Sequence, residues 1–250
     1  MTNKNEPNNV LTDRQTDRQT DRQTYRYVCC LVLMISVLIN VMFVFHYNIP
    51  SKIVEKLNGS TIKTNVQHEI NGSIFKGLEY NYPVDLLFLG DSITANMDWN
   101  AAFHDYSVVN QGIGGDKTSD VISRLISARK TKAKTVILEI GINDLIEGVE
   151  KEIILKNYKI ILEDLKNNMP DTKILVWGIT PVSRDNKALN NKDIQDINIR
   201  IKQMCGSDVT YMNIYESLDN DEDIFASDGL HLNYEGYKKI VSVIRTHIVY

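Results

Sequence analysis

The chain has 250 residues, of which 43% are hydrophobic and 24% charged, with a formal net charge of −4. That length suffices for one ordinary α/β domain plus an appendage. The acidic balance, with a pI near 5.8, argues against a nucleic-acid partner, which needs a basic face. Three cysteines, two of them adjacent in an apolar run, supply neither a disulfide framework nor a zinc-type spacing.

The first fifty residues read differently from the rest. From Thr12 to Thr24 the chain repeats Thr-Asp-Arg-Gln, a pattern with no apolar face to bury, so residues 1–26 are expected to form a disordered tail. Residues 27–47 then contain no Asp, Glu, Lys or Arg over 21 positions. About 20 apolar residues at ~1.5 Å rise cross the ~30 Å hydrocarbon layer, so this run reads as a transmembrane anchor. Tyr25, Tyr27, Phe45 and Tyr47 fall where interfacial aromatics belong. A cleaved signal peptide is the main alternative, but no alanine precedes Ala95 to build an Ala-x-Ala exit. Arg14, Arg18, Arg22 and Arg26 precede the run, and only Lys52 and Lys56 follow closely. The positive-inside rule therefore predicts a cytoplasmic N-terminus and a C-terminal part that is extracellular, periplasmic or lumenal. Residues 48–82 read as a stalk carrying Asn-Gly-Ser sequons at Asn58 and Asn71.

From residue 83 to 250 the pattern is that of an enzyme-sized α/β domain. Val84–Leu89, a short and mostly apolar run, reads as a buried parallel strand. Comparable runs recur at Ser107–Asn110, Thr135–Ile140, Lys173–Gly178 and Val209–Asn213. Helical patterns separate or follow them at Ser119–Ala128, Lys151–Asn168, Ala188–Met204 and Tyr234–Val249. In Lys151–Asn168, Ile154, Tyr158, Ile161, Leu162 and Leu165 recur at steps of three and four, which predicts one buried face ended by Pro170. Five strands alternating with helices predict a doubly wound three-layer α/β/α sandwich whose ligands gather beyond the carboxyl ends of the strands.

Three segments carry chemistry, two of them just past strand candidates and the third just before the last helix. Gly90-Asp91-Ser92-Ile93 places a serine two residues past a strand, where it is either an N-cap or an exposed nucleophile. In Asp228-Gly229-Leu230-His231 the glycine permits a tight turn that sets the carboxylate beside one ring nitrogen while the other faces a nucleophile. A helix-capping turn explains Asp228 but leaves His231 without a role. Asn143, in Gly141-Ile142-Asn143-Asp144, and the backbone N–H groups of Gly112 and Ser92 are candidates for an oxyanion hole. The stretch Gly112-Ile113-Gly114-Gly115-Asp116-Lys117-Thr118 lacks the glycine before lysine that a phosphate-binding loop needs. Position 117 also breaks the dinucleotide spacing. Trp99 and Phe103, just beyond the serine, are placed either in the pocket or in the core. His46, His68, His104 and His247 stand alone.

Residues 84–249 resemble the SGNH (GDSL-type) hydrolase family. Ser92, Gly112, Asn143 and His231 match its four named positions in order, and Asp228 matches the acidic partner three residues before the histidine. The turn Asn110–Asp116 is similar to the branch of platelet-activating-factor acetylhydrolase-like and carbohydrate acetylesterase-like members. The resemblance implies a flavodoxin-like fold and ester hydrolysis through an acyl-enzyme, with no metal or other cofactor. The reading is then a membrane-anchored serine esterase, with O-acetyl groups of a surface glycan or lipid as the suggested substrate. A glycan O-acyltransferase using the same site is the near alternative, and a non-catalytic glycan-binding module the distant one.

Overall fold

The computed structural model describes residue 27 and residues 30–37, 70–219 and 221–248. Within the expected anchor, residue 27 and residues 30–37 are helical and exposed; residues 28–29 and 38–47, like the repeat tail and most of the stalk, lie outside the described residues. Among the described residues no helix is long and apolar enough to cross a membrane.

Five parallel strands form one sheet: β1 Leu86–Gly90, β2 Val108–Gly112, β3 Thr135–Leu138, β4 Lys173–Val176 and β5 Val209–Tyr211, in spatial order β2-β1-β3-β4-β5. This is the flavodoxin-like order, and its topological switch point lies between β1 and β3. All five residues of β1 are buried, as suits a strand with neighbours on both edges and helices on both faces. One helical layer holds Thr118–Ser123, Leu125–Thr131, Lys151–Asn168 and Asn191–Cys205; the other holds Ser92–Ala95, Trp99–Ala102, Ile214–Leu218 and Tyr234–His247.

Helix Lys151–Asn168 buries Ile154, Tyr158, Ile161, Leu162 and Leu165, the residues its periodicity marks, together with Leu155. The helix expected over Ser119–Ala128 is instead two, broken at Arg124, whose backbone leaves helical geometry (φ −120°, ψ 12°). The cause is the side chain. Arg124 is buried and turns inward to Asp116 and to the end of β1. Helix Asn191–Cys205 starts three residues later than expected because Asn190 caps it, accepting from the Lys192 N–H at 2.9 Å.

Trp99 and Phe103 belong to the core. Trp99 stacks on Phe88 with centroids 4.1 Å apart and donates its Nε1–H to the Thr94 carbonyl at 2.8 Å. The last helix closes over this cluster: the Tyr237 hydroxyl donates to the Ile93 carbonyl at 2.8 Å, and its ring meets Trp99 edge-on. The segment just before that helix, which contains His231, is thereby brought to the carboxyl end of β1.

The ends of β1 and β2 pair as Gly90 with Gly112, and both glycines are required by close approach. A Cβ on Gly90 would lie 2.2 Å from the Glu139 carbonyl oxygen, and one on Gly112 would lie 2.3 Å from the Ala95 nitrogen. The Ser92–Ala95 turn sits directly on this bare backbone. Gly112→Ala is therefore expected to destabilise the domain by roughly 1–3 kcal/mol through overpacking. Gly77→Ala, where nothing lies within 4 Å of the added carbon, should be near neutral. Urea melts of the two variants check this; equal midpoints would contradict the close approach.

Candidate active site

Ser92 opens a helix of only four residues, so an extended helix dipole is not what distinguishes it. The N-cap is Asp91, whose Oδ1 accepts the Ile93 N–H at 2.9 Å. The Ser92 hydroxyl is thus not spent on capping. Its Oγ lies 2.8 Å from His231 Nε2, and His231 Nδ1 lies 2.6 Å from Asp228 Oδ2. Asp228 serves two ends at once. Its Oδ1 accepts the N–H groups of Leu230 and His231 at 3.0 and 2.9 Å, forming the tight turn, while Oδ2 orients the imidazole.

The loop that carries this pair is fixed from several sides. Gly229 adopts φ +65°, the left-handed conformation that glycine tolerates. Its N–H donates to the Ala226 carbonyl and its own carbonyl accepts the Ser183 N–H, while Phe225 and Leu232 form an antiparallel bridge. Partial burial alone would raise the Asp228 carboxyl. The hydrogen bonds from the His231 ring and the Leu230 and His231 N–H groups outweigh it and bring the carboxyl down to about 2. Asp228 therefore stays ionised beside His231 throughout the physiological range.

Asn143 sits half-buried at the exit of β3, just past Gly141, which at φ +123° again needs glycine. One amide hydrogen of Asn143 is held by the Asp116 carbonyl at 2.9 Å, which orients the side chain; the second meets no acceptor among the described residues. Gly112 is placed differently from expectation. Its N–H donates to Asn110 Oδ1 at 2.9 Å, and its α-carbon packs under the Ser92–Ala95 turn, so this N–H does not face the serine. The neighbouring turn does. A Cβ on Gly114 would lie 3.9 Å from Ser92 Cβ, Gly115 takes φ +84°, and the N–H groups of Gly114 and Gly115 meet no acceptor among the described residues.

Buried ionic contacts lock these loops together. Asp116 pairs with Arg124 at 2.7 Å, and Arg124 Nη2 donates to the Gly90 carbonyl at 2.9 Å. Asp144 is buried and accepts the Thr118 N–H and hydroxyl at 2.9 and 2.6 Å. Its burial pushes the carboxyl up, and the Thr118 bonds work in the opposite direction. Beneath the serine turn lie two further buried carboxyls, Asp91 and Glu139. Burial raises both, Asp91 to about 7, and the proximity of each to the other raises Glu139 further. The roles of Arg124 and Glu139 are not apparent from the sequence. Glu139 has one visible signal, a carboxylate inside an apolar strand run.

A serine hydroxyl relayed through imidazole to a carboxylate, at the switch point of a parallel sheet, is built for acyl transfer. Sequence comparison puts this chemistry in a known class: the chain belongs to the GDSL-like Lipase/Acylhydrolase family, whose profile matches residues 88–239, and it is a carboxylic ester hydrolase. Human platelet-activating factor acetylhydrolase IB subunit alpha2 is 28% identical over 172 residues, covering 62% of this chain and 72% of that protein. Among solved structures, a GDSL-like lipase from Bacteroides thetaiotaomicron superposes with a TM-score of 0.62 at 19% identity, over 72% of this chain and 96% of the other. The acetyl xylan esterase AlAXEase superposes with a TM-score of 0.58 at 19% identity, over 66% of this chain and all of the other. At these identities the structures show a shared fold.

Because Asp228 is ionised down to about pH 2, Asp228→Asn should lower kcat by roughly 10²–10⁴. The deficit should be present at neutral pH, where the wild-type carboxylate carries its charge. Initial rates at about pH 7 to 8 check this; wild-type kcat in Asp228→Asn would contradict it.

Proposed function

We propose that the protein is a membrane-anchored serine esterase that removes short acyl groups, acetyl foremost, from a glycan or lipid through an acyl-serine intermediate. The observation that carries the mechanism is the hydrogen-bonded line from Ser92 Oγ through His231 to Asp228, at 2.8 and 2.6 Å. Ser92 Oγ attacks the ester carbonyl as His231 Nε2 takes its proton. The imidazolium, steadied by Asp228, returns that proton to the departing alcohol, and water then repeats the sequence in reverse roles to free the acid. Negative charge on the carbonyl oxygen is met by the Ser92 N–H, the second amide hydrogen of Asn143 and the N–H groups of the Gly114-Gly115 turn, which replace Gly112 in that role.

Acetyl specificity is supported by relatives named for acetyl-ester chemistry: a platelet-activating factor acetylhydrolase subunit and an acetyl xylan esterase. Anchoring through residues 27–47 is supported by 21 consecutive positions without an acidic or basic side chain. The four preceding arginines favour a cytoplasmic N-terminus, with the catalytic domain on the far side of the membrane.

The test is a panel of aryl esters of increasing acyl length, assayed with the full chain and with Ser92→Ala. Acetyl esters should give the highest kcat/KM, and the substitution should lower it by roughly 10³ or more. Unchanged turnover in Ser92→Ala would overturn the mechanism, and a preference for long acyl chains would overturn the substrate assignment. Adding a glycan acceptor to the same assay separates hydrolysis from transfer; acetylated glycan in place of free acetate would assign the acyltransferase activity. Deleting residues 27–47 should move the protein from the membrane pellet to the supernatant.

A further inference from the structure

Asp91 and Glu139 take no part in the relay, yet both are fully buried directly beneath it. Asp91 caps the serine turn through Oδ1, and Glu139 Oε2 accepts the Thr94 hydroxyl at 2.9 Å, two residues past Ser92. That leaves Asp91 Oδ2 and Glu139 Oε1 as buried oxygens without a hydrogen-bond partner among the described residues, although the Asp91 N–H also bonds the Glu139 carboxyl and favours its charged form. The two side chains lie within hydrogen-bonding reach of each other.

The surrounding side-chain donors are either committed elsewhere or reach neither of these two oxygens. His231 uses its ring nitrogens on Ser92 and Asp228. The Tyr158 hydroxyl donates to the Ile140 carbonyl and the Tyr237 hydroxyl to the Ile93 carbonyl. Arg124 donates through Nε to Asp116 and through Nη2 to the Gly90 carbonyl, and its Nη1 reaches no acceptor. Asp116, also buried, adds negative charge to the same region. Two carboxylates cannot bond to each other without a proton, and two bare anions at this depth would repel strongly.

We propose that Asp91 and Glu139 share one proton at working pH, and that the resulting O–H···O bond is a positioning device holding the nucleophile turn on β3. Glu139 carries the proton and donates it to Asp91, which gives each orphaned oxygen its missing partner. The bond joins the first residue after β1 to the first residue after β3, across the switch point of the sheet. The angle at which Ser92 meets His231 is thus set by a bond that exists only while the pair is singly protonated. The shared proton follows from the burial and hydrogen bonding alone; its effect on rate rests on Ser92 being the nucleophile.

The sign of the pH dependence follows. The folded-state carboxyls sit above their unfolded values, so the pair stabilises most fully in acid and loses that contribution as pH rises through the folded-state range. Glu139→Gln keeps a donor toward Asp91 but cannot titrate. Its melting temperature, relative to wild type, should rise as pH goes from about 5 to about 9. Its kcat at about pH 6 should stay within about threefold of wild type. Glu139→Ala, which leaves Asp91 without its donor, should lose about tenfold or more in kcat with KM little changed.

The direct probe is the infrared spectrum of the full wild-type chain at neutral pH, where a buried carboxylic-acid carbonyl band should appear and should be lost in Glu139→Gln. Absence of the band in wild type would overturn the shared proton, whether or not any variant folds. A band with no difference in pH profile between wild type and Glu139→Gln would overturn the positioning role. Loss of turnover in Ser92→Ala bears on the esterase mechanism and leaves the band unchanged.

Discussion

Everything at the carboxyl end of this sheet depends on how closely the Ser92–Ala95 turn settles onto the backbone of β1 and β2. Gly90 and Gly112 are paired across the two strands, and a side-chain carbon on either would come within 2.3 Å of a neighbouring backbone or side-chain atom. This contact lets β1, buried throughout its length, stop and turn within one residue. Asp91 caps the turn in place of the serine, and Ser92 Oγ is left to His231. A larger residue at either position would lift the turn from the sheet and move the hydroxyl relative to its base, and misplacements of about 1 Å cost such sites roughly 10² in rate.

The turn's surroundings are unusually charged for a protein interior. Asp91, Asp116, Glu139 and Asp144 are buried carboxyls, with Arg124 the buried cation among them. Each is answered locally: Asp116 by Arg124, Asp144 by Thr118, and Asp91 and Glu139 by each other under the proposed shared proton. Buried ion pairs are a poor source of net stability but strongly penalise any arrangement that separates them. Here the Asp116–Arg124 pair, with the bonds of Thr118 to Asp144 and of Asn143 to the Asp116 carbonyl, joins the exits of β1, β2 and β3, the three loops that deliver Ser92, the Gly114-Gly115 turn and Asn143. The network thereby limits these loops to one relative arrangement.

The sequence was legible where one local rule governs. The strand and helix order, the buried face of Lys151–Asn168 and the Asp228-Gly229 turn each follow from periodicity or from glycine chemistry within a few residues. Readings failed, or stayed open, where one particular side-chain contact decided and no periodicity signals it. Arg124 breaks a helix that looks continuous because its guanidinium is drawn to Asp116 and to the Gly90 carbonyl, 34 positions away. Gly112 looks like an oxyanion donor because it stands in a glycine-rich turn, yet a side chain two residues earlier claims its N–H. Trp99 and Phe103 carry no periodic signal in helices this short, and only the packing of Phe88 and Tyr237 places them in the core.

The central claim is that Ser92 is a nucleophile activated by His231 and oriented for attack by the loops around it. Reaction of the full chain with a fluorophosphonate, followed by peptide mapping in a mass spectrometer, tests it most directly. A single adduct on Ser92 and none on the other serines is expected, with labelling slowed severely in His231→Ala. A folded wild-type protein that stays unlabelled, or one labelled elsewhere, would contradict it.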